Sequence, residues 1–267
     1  MAMDRWGAAR ARALGPMVIA AVDQCLPTQE RVVHDRLVLR LLPRGARLAV
    51  GACRVGAVRA WAVRAGERRA PGVWAAALCR RRFGDDVVAR AVAEGIGQVV
   101  VLGAGLDTRA CRLVVPAGVP AFEVDGPGAV VRKRLRLKRA LGRVPVGLRL
   151  VAVGADARSL AAGLEAAGYR SDRSALFVWE GAARRPGRAG AVLGVLESAA
   201  PGSGLVLWGG PGAEAGRVGA VLAGSGWCER ERLRGPGYAE RYLRAAGREG
   251  LAVRSAEWSL YAVKRAR

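Results

Sequence analysis

Histidine is nearly missing from this chain: among 267 residues, His34 is the only one. Lysine occurs only at Lys133, Lys138 and Lys264, and aromatic residues make up 5% of the sequence. Each shortage excludes something. One histidine and five scattered cysteines (Cys25, Cys53, Cys79, Cys111 and Cys228), with no CxxC pair, offer no zinc-type ligand set. The odd, unpaired cysteine count points to reduced thiols in a cytoplasm. Aromatic residues are not interleaved with the arginines, so stacking platforms for single-stranded nucleic acid are missing. Arg or Asp interrupts every apolar run before the roughly eighteen residues a membrane span needs, and no membrane partner is expected. No apolar h-region follows Asp4 and Arg5, so no secretory signal is expected either.

Basic residues are abundant: 44 Lys and Arg against 22 Asp and Glu give a formal charge of +22. Almost all are arginine, and heavy use of Arg, Ala and Gly is what a GC-rich coding sequence produces whatever the partner. An acidic partner, either a carrier protein or an anionic substrate, is one alternative, and nucleic acid is another. No specific nucleic-acid binding is expected. Hydrophobic residues at 52% with so few aromatics imply a core of Ala, Val and Leu, and the length suits one large α/β domain.

The most informative stretch runs from Gln98 to Arg109. Val99 to Leu102 is a short apolar run without alternation, as expected of a buried parallel strand. Gly103 and Gly105 follow it, in a turn where a ligand can approach the backbone. A second apolar run, Ala121 to Val124, ends in Asp125, about twenty residues on. That is the spacing at which an acid after the second strand reaches a ribose hydroxyl. A dinucleotide fits poorly, because Asp107 places an anion where a pyrophosphate would lie. A ribose, an adenine and a cationic or zwitterionic tail fit better, and S-adenosylmethionine has all three.

The string Val101-Leu-Gly-Ala-Gly-Leu-Asp-Thr-Arg-Ala110, followed by Arg112-Leu113, resembles the first motif of the leucine carboxyl methyltransferase family. The likeness is closest to its bacterial branch of S-adenosylmethionine-dependent O-methyltransferases. Phe122 to Asp125 with the basic helix behind it resembles the second motif. Phe177 to Gly181 resembles the end of the fourth strand, and Glu240 to Leu243 through Glu257 to Ser259 resembles the C-terminal end. The resemblance implies a class I methyltransferase fold: a Rossmann-like, doubly wound α/β sheet with an N-terminal helical cap and a C-terminal antiparallel hairpin. On that basis residues 1–84 form the cap, within the same domain, and residues 85–267 the cofactor-binding core.

The pattern along the chain supports that architecture. Pro16 to Leu42 reads as helices. Gly45 to Gly72 is rich in Gly and Arg, with one amphipathic piece at Val58 to Val63, and Asp85 to Gly95 reads as a short helix with acids in its first turn. Strands are expected at 98–103, 121–124, 149–153, 175–179 and 204–208. Helices separate them near 108–113, 127–141, 158–167 and 188–199, which argues for a parallel sheet. A further helix at 213–224 and two better-alternating strands at 227–233 and 254–263 complete the expectation.

Candidate residues follow, each with a rival role. Gly103 and Gly105 permit backbone approach, or simply form a tight strand–helix turn. Asp107 faces the sulfonium or amino end of the cofactor, or caps the helix beginning at Thr108. Asp125 holds the ribose hydroxyls, or is a solvated loop acid. By resemblance, Arg80 holds the cofactor carboxylate, with Arg82 a competitor and a solvated basic cluster as the rival. By the same resemblance, Glu180 stands at the cofactor–substrate junction, or only organises the strand end. Two departures stand out. The family's acid after the third strand is replaced by Gly154, which leaves Asp156 as the candidate for the adenine. The family's apolar and tyrosine-containing substrate wall after Gly181 is replaced by a segment with Arg184 and Arg185, which could form an anion site.

Methyl transfer from a sulfonium is an in-line displacement in which the protein mainly positions the nucleophile and excludes water. A carboxylate acceptor is already ionised and needs no base, whereas a phenol does. With His34 as the only histidine, the scarcity of bases is consistent with a carboxylate. The reading is therefore an O-methyltransferase of a small acidic metabolite, plausible in secondary metabolism. A cofactor-binding relative with lost or changed activity, and a nucleic-acid methyltransferase, are the alternatives.

Overall fold

The computed structural model describes residues 15–154, 157–179, 186–209, 222, 224–254 and 256–265. The chain groups into two compact units, Met1–Arg82 with Arg234–Ser255, and Phe83–Leu233 with Ala256–Arg267.

The first unit is helical: α1 (15–23), α2 (Arg36–Leu41), α3 (Arg44–Ala52), α4 (Gly56–Arg69) and the opening of α5 (Val73–Ala93). Asp35 starts α2 by accepting the N–H groups of Leu37 and Val38, both at 3.0 Å, which satisfies two donors the helix cannot. The same carboxylate takes the Arg81 guanidinium at 2.5 Å, both groups buried. Residues 234–255 belong to this unit rather than to the core where sequence placed them. Tyr238 and Leu243 are fully buried, and Arg248 pairs with the buried Asp23 at 3.1 Å. Those partners are more than two hundred residues apart, so no local pattern reports them.

Two further expectations change here. The Gly/Arg-rich stretch from Gly45 to Gly72 is mostly helix, as α3 and α4, rather than one short piece. The helix expected to start at Asp85 starts at Val73 and runs through Gly84.

The second unit is built on a seven-stranded sheet in the order β3-β2-β1-β4-β5-β7-β6. Its strands are β1 (Gln98–Leu102), β2 (Ala121–Asp125), β3 (Leu148–Ala152), β4 (Ala175–Trp179), β5 (Gly204–Gly209), β6 (Trp227–Arg234) and β7 (Trp258–Lys264). The first five pair in parallel and β7 runs antiparallel to β5. β1 and β4 are buried at every position, which explains their unbroken apolar runs. Between the strands lie α6 (Pro127–Leu141), α7 (Ala157–Ala166) and α8 (Pro186–Glu197), and a π-helical turn at Ala110–Val114. β6 and β7 are neighbours, but the chain makes the excursion of 235–255 between them instead of a tight hairpin turn. The helix expected at 213–224 lies almost wholly outside the described residues.

The order and directions are those of a Rossmann-like, doubly wound sheet with an antiparallel strand beside β5, as the sequence resemblance implies. One side of the core joins Val100, Phe122, Val124, Leu164, Phe177, Leu196 and Leu205 in a single buried cluster. Aliphatic packing of this kind contributes about 25 cal/mol per Å² of apolar surface removed from water, without need of many aromatics.

Candidate active site

The strand order fixes where a site can form. From β1 the chain moves outward to β2 and β3, then returns to β4 on the other side of β1. The crevice at such a reversal, at the carboxyl ends of the strands, is where α/β sheets take ligands. Gly103 and Gly105 follow β1 there, and Asp125 ends β2, in register one step beyond the Leu102–Val124 pair.

The turn is held by its neighbours. The N–H groups of Gly103 and Ala104 both donate to the Val124 carbonyl, at 2.9 and 3.1 Å. Gly103 and Gly105 have φ of 73° and 49°, a left-handed region that side chains other than glycine rarely adopt. Among the described residues, a Cβ on Gly105 would meet nothing nearer than the Gly103 carbonyl at 3.9 Å, so they leave room over the turn. Asp125 ties the turn to β2: one carboxylate oxygen accepts the Gly105 N–H at 2.9 Å and the other the Gly126 N–H at 2.7 Å. Asp125 is half-buried, and each oxygen keeps lone-pair capacity for a further donor.

Beneath the turn lies a buried ionic layer. Arg109 is fully buried, pairs with Asp107, and donates through Nε to Asp85 at 2.9 Å. Its guanidinium carbon stands 5.4 Å from the centre of the Trp208 ring, within cation–π range. Arg112 takes the other Asp85 oxygen at 2.7 Å. Asp107 also accepts the Arg109 backbone N–H at 2.6 Å, the arrangement of a helix-starting cap. Lys133, reaching in from α6, donates to the Asp107 carbonyl and lies 2.9 Å from Glu123 Oε2, close enough to pair but without hydrogen-bond alignment. Burial pushes the Glu123 carboxyl up to about 7. The Lys133 ammonium pulls it down, and the carboxylates of Asp107 and Asp125 push it up.

The sequence-predicted residues therefore fall into three sets. Gly103, Gly105, Asp107 and Asp125 meet at one turn. Arg80 belongs to the first unit, half-buried, with Nε donating to the Ala76 carbonyl of its own helix at 2.9 Å; its neighbour Arg82 donates to the Val32 carbonyl at 3.3 Å. Asp156, Glu180, Arg184 and Arg185 lie outside the described residues, whereas Gly154 is described and exposed. Sequence reasoning missed Arg109, Asp85, Glu123 and Lys133. The available signal was Glu123 itself, an acid inside the otherwise apolar run Ala121 to Val124, which demands a buried partner. Among the described residues no cluster of His, Cys, Asp or Glu could hold a metal, and no helix is long and apolar enough to cross a membrane.

The family model for leucine carboxyl methyltransferase matches residues 13–184. A protein of Mycobacterium avium, provisionally named an S-adenosyl-L-methionine-dependent methyltransferase, is 34% identical over 184 residues, covering 67% of this chain and 57% of the relative. A Mycobacterium marinum protein with the same provisional name is 43% identical over 107 residues, 40% of this chain and 35% of that protein. The chain thus spans little more than half the length of the first of these relatives. Among solved structures, magnesium protoporphyrin IX methyltransferase from Synechocystis is similar at 17% identity and a TM-score of 0.47, covering 70% of this chain and 81% of that one.

Proposed function

This chain belongs to the leucine carboxyl methyltransferase family, and we propose that it is an S-adenosylmethionine-dependent O-methyltransferase acting on the carboxylate, or a hydroxyl, of a small acidic metabolite. The observation that carries the reading is the Gly103–Gly105 turn, tied through Gly105 to Asp125 at the strand-order reversal, with room left above its backbone by the described residues. The bound cofactor supplies an electrophilic methyl group on a sulfonium. The protein's part is to hold and align. The glycine turn lets the cofactor's backbone-facing side approach, and Asp125 accepts from ribose hydroxyls with its remaining lone pairs. Asp107 takes part through the turn it braces, and Arg80 is assigned to the cofactor carboxylate by family resemblance. Asp156 and Glu180 are assigned to the adenine and to the cofactor–acceptor junction on the same footing.

For the acceptor, Arg184 and Arg185 are proposed to hold an anionic group by paired hydrogen bonds and turn one oxygen toward the methyl group. A carboxylate needs no base, in keeping with His34 as the chain's one histidine. Five free thiols suit the reducing cytoplasm in which this reading places the enzyme, with secondary metabolism as its proposed setting. Gly154, standing where the family has an acid, favours a second reading: a cofactor-binding protein with lost or changed activity. Transfer of labelled methyl from S-adenosylmethionine to a panel of carboxylic acids and phenols separates the two. Methyl ester or methyl ether formation supports the first, whereas cofactor binding without transfer to any acid or phenol supports the second.

A further inference from the structure

Among the described residues, the large apolar side chains left exposed fall into two short stretches, Leu48 to Trp61 in the first unit and Val131 to Val146 in the second. The second lies on and after α6 and has a definite layout. Val130, Lys133, Leu137 and Ala140 turn α6 toward the protein. On the opposite face, Val131 and Leu135, one helical turn apart, are 58% and 49% exposed. Arg134 and Lys138 flank them on one side and Arg132 and Arg139 on the other, all exposed. No Asp or Glu occurs between Asp125 and Asp156. An apolar centre inside a charged rim is the layout of a protein-docking surface.

We propose that this face of α6 docks an acidic amphipathic helix of a partner protein, with apolar side chains on Val131 and Leu135 and carboxylates on the surrounding arginines and lysine. Charge complementarity selects the occupant. A nucleic acid would use the basic rim but leave the apolar centre unexplained, and no aromatic side chain stands between Pro127 and Gly142 for base stacking. A membrane is disfavoured because the main apolar face of α6 is already spent on the core, leaving only short side chains to insert. Since α6 begins two residues after Asp125, a partner bound along it would end near the crevice. An acceptor delivered on such a partner rests on the methyltransferase reading, but the docking itself does not.

The test uses the full chain and a fluorescent synthetic helix with Leu at positions i, i+3 and i+4 and Glu elsewhere, read by anisotropy at physiological salt. The wild type is expected to bind it. Val131→Ser with Leu135→Ser, and separately Arg134→Glu with Arg139→Glu, should each weaken binding about tenfold or more. Leu48→Ser with Trp61→Ser should leave it unchanged. Equal affinity for an all-Glu peptide, stronger binding to phosphatidylglycerol vesicles or duplex DNA, or loss only in the Leu48/Trp61 variant would each overturn the proposal. Because no cofactor is present, failure here leaves the methyltransferase reading standing.

Discussion

Asp125 Oδ2 accepts the backbone N–H of Gly105 at 2.9 Å, so the acid that ends β2 also holds the glycine turn that follows β1. A single carboxylate thus joins the two segments that the sequence singles out for cofactor binding. Asp125→Ala should weaken S-adenosylmethionine binding by about 1.5–3 kcal/mol, the worth of a charge-assisted hydrogen bond. Asp125→Asn, which keeps one acceptor, should lose less. Calorimetric dissociation constants for the three proteins check the order, and an unchanged constant in the Ala variant would remove Asp125 from the site.

The turn's conformation can be tested apart from its contacts. Gly105→Ala meets open space, yet it forces a side chain to φ of 49°. Strain of this kind costs on the order of 1–2 kcal/mol. Urea denaturation should show a loss of that size, with cofactor affinity reduced as well. Wild-type stability in this variant would mean that the turn is less constrained than described.

Arg109 should be a structural keystone. Its charge is fully buried between Asp107 and Asp85. Removing one member of a buried pair leaves uncompensated charge and costs about 3–5 kcal/mol. Arg109→Met should therefore lower the free energy of unfolding by that order. A change comparable to that of the exposed Arg170→Met would contradict the buried network.

Glu123 carries a pH signature. Its carboxyl is pushed up from 4.5 to about 7 by burial, so the folded state holds its proton more tightly than the unfolded chain does. The stabilising effect of protonation is complete below the unfolded value and is lost as pH rises through the folded one. Between about pH 4.5 and 7 the Glu123 contribution to stability should fall as pH rises, so the difference in stability between wild type and Glu123→Gln should shift steadily against the wild type across that window. Parallel pH profiles for the two proteins would contradict the assignment.

Much of this architecture could be read from residue pattern, and its misreadings have physical causes. The parallel strands were placed to within a residue or so because β1 and β4 are buried on both faces, and their sequences say so directly. The start of α5 escapes a reading of the sequence because Gly84 and Asp85 imitate a helix beginning. Within the fold, Gly84 is an interior position where a Cβ would come 3.0 Å from the Arg109 guanidinium, so the glycine serves packing. α4 buries none of its fourteen residues, so only its Val58–Val63 piece shows an apolar pattern and the helix ends go unread. The basic half of the ionic layer is hidden for a different reason. In a chain with 44 basic residues, nothing local distinguishes Arg109 and Lys133, which are buried, from the solvated majority.

The central claim, that the Gly103–Gly105 turn and Asp125 form a cofactor site, is tested most directly by titrating the full chain with S-adenosylmethionine in a calorimeter. Saturable binding at one site per chain, weakened in Asp125→Ala, is expected. Absence of any binding heat at several temperatures, from a protein shown to be folded, would contradict it.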